Sequence, residues 1–105
     1  MGYTIDLKII AQELGFEVED VEMLVEVFLE TSIDSMQDLK DAIDVNDLDA
    51  IFSSAHAIKG SAANLTLLEI TNIAKDIEEN ARELNAIDYL QSYKKLELLI
   101  QGIKA

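Results

Sequence analysis

Residues 48–65 read Leu-Asp-Ala-Ile-Phe-Ser-Ser-Ala-His-Ala-Ile-Lys-Gly-Ser-Ala-Ala-Asn-Leu. Within this stretch Leu48, Ile51, Ala55, Ile58, Ala62 and Leu65 recur at alternating intervals of three and four. That period lays one apolar stripe along an α-helix, as in helices that pack into bundles. It predicts a helix over about Asp47 to Asn64, and the flanks continue the theme. Upstream, Val21, Leu24, Val25, Phe28, Ser32, Met36, Leu39 and Ile43 define a stripe on a long helix from about Val18 to Asp44. Glu17, Glu19, Asp20 and Glu22 crowd its first turns, where the helix dipole favours anions. Val45-Asn46-Asp47 reads as a break with Asn46 as N-cap.

Further out, Leu7, Ile10 and Leu14 give one face to a short helix from about Asp6 to Leu14. Thr4 or Asp6 can cap its start and Gly15 its end. Thr66-Leu67-Leu68-Glu69 fits a capping box that opens a further helix, with Leu67, Ile70, Ile73, Ala74, Ile77, Ala81 and Leu84 as its stripe. Asn85 then caps a last helix from about Ala86 to Lys104, whose stripe is Tyr89, Tyr93, Leu96, Leu99 or Ile100, and Ile103. The sequence has no proline, no period-2 alternation and few turn dipeptides. An all-α, antiparallel four-helix bundle follows, with the short N-terminal helix as a lid. The whole chain, residues 1–105, is read as one such domain, and Met1 with the compact length favours a free-standing protein.

Composition narrows the function. The chain has 105 residues, 21 Asp and Glu against 8 Lys and Arg, and a net charge of −13, yet 50% of it is hydrophobic. That is enough apolar content for a core. Nucleic acids and anionic membrane surfaces need a basic footprint, which is the opposite sign. The absence of cysteine removes disulfides, thiolate metal sites and cysteine nucleophiles, and a single histidine removes multi-histidine zinc sites. The start of the chain has no basic, apolar and small-residue signal pattern, and no apolar run approaches the roughly 20 residues of a membrane span. A cytoplasmic monomer is expected. Asp41, Asp44, Asp47 and Asp49 lack the spacing and glycine of an EF-hand, so no metal site is expected. Paired catalytic carboxylates need a cleft that a small bundle hardly offers.

The lone histidine, His56, sits mid-helix. At roughly 100° per residue the core stripe turns away from it, while Asp49, Phe52, Ser53, Lys59, Gly60 and Ala63 fall around it. An imidazole pointing into solvent is a covalent nucleophile at neutral pH. Lys59, three residues on, supplies a cation for phosphate oxygens. Gly60 costs about 1 kcal/mol relative to alanine in a helix interior but clears the approach to the ring. Its competing explanation is close helix–helix packing. Phe52 reads either as a docking anchor or as a flank of the core.

The run His56-Ala57-Ile58-Lys59-Gly60-Ser61-Ala62-Ala63-Asn64-Leu65 resembles the signature of histidine-phosphotransfer (HPt) domains of two-component phosphorelays. That signature is His, any residue, a hydrophobic, Lys-Gly-Ser/Ala, then small residues and a hydrophobic. Leu48, Ile51 and Ala55 upstream and Ile77-Glu78 downstream fit as well, and the likeness spans nearly the whole chain in helix order. It implies that His56 Nε2 takes a phosphoryl group from a receiver-domain aspartate, or from a sensor histidine kinase, and hands it to another receiver. It implies Glu78 as the group that orients Nδ1 and Arg82, one turn on, as a phosphate contact. It implies a phosphocarrier without turnover of its own, lacking a cofactor, with Mg²⁺ on the receiver. Docking falls on the third helix, through Phe52, Ser53 and Ala63 beside the site, with part of the second. The family has glycine after the Leu65 position, whereas this chain has Thr66. The alternative function is a helical docking module that binds receivers or other proteins without carrying phosphate.

Overall fold

Five α-helices follow one another in a computed structural model that describes residues 6–103. They are α1 (Leu7–Leu14), α2 (Val18–Asp44), α3 (Leu48–Asn64), α4 (Leu68–Arg82) and α5 (Tyr89–Gln101), with no strand among the described residues. Thr4 and Lys104, named above as a possible cap and a helix end, lie outside them.

Helices α2, α3, α4 and α5 pack in a closed ring, each against the next and α5 back against α2. This is the expected antiparallel four-helix bundle. At about 1.5 Å per residue the 27 residues of α2 span about 40 Å, which matches the 41 Å long dimension of the molecule. Helix α2 is therefore longer than any partner. The short connection through Gly15 folds α1 back along the start of α2, and α1 neighbours α2 alone, not the ends of all four helices as a lid would. Ile10 and Ala11 of α1 join the buried cluster that holds Val21 and Val25.

The stripes bury much as their spacing requires. Ile51, Ala55, Ile58 and Ala62 of α3 and Ile70, Ala74, Ile77 and Ala81 of α4 are almost wholly inaccessible. Alanines on both helices allow the α3–α4 pair, the most extensive in the bundle, to approach closely. Two positions depart from the expected stripes. Leu24 is exposed, and Ala42 is buried on the other margin of the same face. Met23, Val27 and Ile33 also face solvent.

The turns hold the main corrections. Asn46, Thr66 and Leu84 all have left-handed backbones, with φ of 55°, 55° and 61°, like Gly15 at 71°. After each, a backbone N–H reaches back five residues. Phe16 donates to Ala11, Asp47 to Ala42, Leu67 to Ala62 and Asn85 to Asn80, all at 2.9–3.0 Å. The first four helices thus end in the same Schellman geometry. Asn46 ends α2 and does not cap α3. The cap is Asp47, whose carboxylate accepts from the Ala50 N–H at 3.1 Å. Thr66 makes no capping box either; it ends α3, and the α4 N-cap Leu67 has no side-chain cap. Leu84 leaves the α4 stripe for solvent. Helix α5 starts at Tyr89 with Asp88 as its cap, accepting from the Gln91 N–H at 3.1 Å, in place of Asn85.

Candidate functional site

His56 lies in the middle of α3 with its side chain 63% exposed. Its neighbour across the helix pair is Glu78 of α4, whose side chain is only 6% exposed. Nδ1 of His56 is 2.5 Å from Oε2 of Glu78, and Lys59 Nζ donates to Oε1 at 2.8 Å. One buried carboxylate thus links two residues a single turn apart on the facing helix. The i, i+3 spacing of His56 and Lys59 places them side by side, and the small core residues bring α4 close enough for Glu78 to reach both.

Burial is the largest influence on the Glu78 carboxyl and pushes its pKa up. The hydrogen bonds from Lys59 and His56, with their charges, outweigh it and hold the pKa below the ordinary value. Glu78 is therefore an ionised acceptor at neutral pH. Nδ1 then donates to Oε2, and in the neutral form of the ring the free electron pair lies on Nε2, on the exposed side chain. In that form the arrangement presents an oriented nitrogen lone pair to an incoming electrophile.

Phe52, one turn before His56, stacks on the imidazole with ring centroids 6.0 Å apart and planes 11° from parallel. It is half-buried and packs against the core cluster. The reading of this residue as a flank of the core holds, and neither sequence reading foresees the stack. The i, i+4 spacing of the two aromatic rings was the available signal.

Gly60 is exposed, and a Cβ built there would meet nothing within 4 Å. Close helix packing does not account for this glycine. Ser53 and Ala63 are exposed on the same side of α3. Lys59, aimed by sequence reasoning at phosphate oxygens, spends one N–H on Glu78 and keeps two others. Arg82 is exposed one turn beyond Glu78 and has no hydrogen bond or ion pair among the described residues, so the structure does not draw it into the cluster. No described helix is long and apolar enough to cross a membrane.

The Hpt domain family model matches residues 23–105, a span that contains every member of this cluster. No curated protein and no solved structure matches the chain.

Proposed function

The chain belongs to the Hpt domain family of two-component phosphorelays, and on that premise we propose that it is a phosphocarrier whose acceptor is His56 Nε2. The observation that carries this reading is the Glu78 carboxylate on Nδ1, which leaves the lone pair on the accessible nitrogen. In the forward step Nε2 forms an N–P bond to the phosphoryl group of a receiver's aspartyl phosphate. The P–O bond breaks, and the aspartate carboxylate leaves with the bonding pair. Nδ1 retains its proton, so the ring becomes cationic, and the buried Glu78 carboxylate faces that new charge. Return of the group to a second receiver reverses the step. The receiver is expected to bring the Mg²⁺ and most of the transition-state stabilisation. A sensor kinase as the donor uses the same nitrogen.

Lys59 then serves chiefly to hold Glu78, with its remaining N–H groups available to phosphate oxygens. Gly60 opens room for the partner, and Ser53 and Ala63 border the docking face.

The test is incubation with a phosphorylated receiver domain, read by intact mass. The expected product has gained one phosphoryl group, is acid-labile and base-stable, and does not form with His56→Gln. Failure to label with several active receivers and a kinase core would sink the phosphocarrier reading, and binding without labelling would leave a docking module.

A further inference from the structure

We infer that Phe52 is a positioning residue for the acceptor ring, its phenyl face holding the imidazole plane so that Nε2 stays turned outward. The inference rests on His56 being the phosphoryl acceptor. Long side chains lean toward the N-terminus, over the residue four positions earlier, which carries His56 back onto Phe52. The rings are 6.0 Å apart and 11° from parallel, inside the roughly 4.5–7 Å range in which aromatic pairs attract. Phe52 is itself fixed, since it packs against the buried cluster of the bundle. Glu78 holds one edge of the imidazole through Nδ1, but one hydrogen bond leaves the ring able to rotate about that contact. The phenyl face removes this freedom. Together they restrain an otherwise largely exposed side chain in both direction and plane.

The stack has a second consequence once the N–P bond has formed. Breaking the P–O bond of an aspartyl phosphate and leaving the proton on Nδ1 makes the ring cationic. A cation against an aromatic face is stabilised, at exposed sites by an amount equivalent to about a two- to fivefold change in a rate or equilibrium constant. Phe52 therefore favours both the oriented acceptor and the charged product.

A docking anchor and a positioning residue part company when the donor is too small to dock. The experiment compares labelling by a phosphorylated receiver with labelling by phosphoramidate, whose P–N bond breaks as ammonia leaves. The proteins are the wild type, Phe52→Leu, Phe52→Met and Phe52→Tyr, each checked for helicity and cooperative melting. Leucine and methionine fill the core side without a ring face; tyrosine restores the ring. Phe52→Leu and Phe52→Met are expected to label about two- to fivefold more slowly with both donors, and Phe52→Tyr close to the wild type. Slowing with the receiver alone would make Phe52 only a docking anchor and overturn the inference. So would equal slowing in Phe52→Tyr. A wild type that labels with neither donor would overturn the acceptor assignment itself, which separates that failure from this one.

Discussion

At the scale of single residues, Gly60 offers the sharpest separation of stability from function. A mid-helix glycine with open space around its missing Cβ is a cost that nothing inside the molecule requires. Gly60→Ala is expected to stabilise the fold by about 1 kcal/mol, or about 4–8 °C in Tm for a domain of this size. The same change is expected to slow transfer from a receiver while leaving phosphoramidate labelling intact, because only the protein donor approaches over Gly60. A stabilised variant with unchanged receiver transfer would remove the access role. Glu78 carries a different signature. Its carboxyl is held below the ordinary value of 4.5, so its stabilising contribution is complete above that pH and disappears as pH falls through the lower folded value. The Tm difference between wild type and Glu78→Gln should be widest at neutral pH and close in acid, as thermal melts across that range will show. A gap independent of pH would mean that charge on Glu78 does not stabilise the fold. Much of this site was readable before any coordinates, because His56, Lys59, Gly60 and Ala63 share one helix face and the helix wheel orders them. Glu78 was reachable only through family likeness, since a wheel says nothing about the facing helix. The Phe52 stack depends on how far two side chains lean, which residue spacing allows but does not demand.

At the scale of elements, the helices were legible and the geometry of their caps and turns was not. The α2 and α3 bounds follow from periodic stripes, and sequence reasoning recovers them to within a residue. The left-handed geometry of the turns after α2, α3 and α4 escaped because its position is filled by Asn46, Thr66 and Leu84, whereas the usual signal there is glycine. Asn46 looked like an N-cap because asparagine suits both places. Thr66 looked like a capping box because the residue three positions on is Glu69. Its actual position explains the glycine found there in the family, since a β-branched residue is disfavoured at positive φ. A left-handed backbone costs an L-residue about 1–2 kcal/mol, partly offset by the greater freedom glycine loses on folding. Thr66 adds a buried Oγ1 with no hydrogen-bond partner. Thr66→Gly is therefore expected to stabilise the bundle by about 1–2 kcal/mol, and Leu84→Gly by about 1 kcal/mol or less. The two positions bracket α4, some 15 helical residues apart, so the double variant should gain the sum of the two within about 0.5 kcal/mol. Chemical denaturation of the three variants measures this directly. A destabilised Thr66→Gly would show that threonine packing outweighs its backbone strain.

At the scale of the whole molecule, the net charge of −13 is unevenly spread in a way that bears on the site. Helix α2 carries nine acidic residues and one lysine, whereas α3 holds only Asp49 and Lys59. The α3 face proposed for docking is thus a nearly neutral strip of small residues beside a strongly negative helix. The cluster at the site does not change this balance. Lys59 and Glu78 cancel, so that pair adds no local excess of positive charge to greet a phosphoryl donor. An anionic donor without a docking surface must approach His56 against the field of the remaining acids. Screening should relieve that field, since the Debye length falls from about 30 Å at 0.01 M salt to about 10 Å at 0.1 M. Labelling by phosphoramidate is therefore expected to accelerate as salt rises over this range, at constant pH and with the fold intact by circular dichroism. If labelling instead slows with salt, the ammonium of Lys59 governs the approach of phosphate despite its bond to Glu78. Lys59→Met would then lose the salt dependence along with the rate. If the acceleration holds, the acids of α2 act as a barrier to small phosphorylated anions, and a protein partner reaches His56 by contacts with α3 that such anions cannot make.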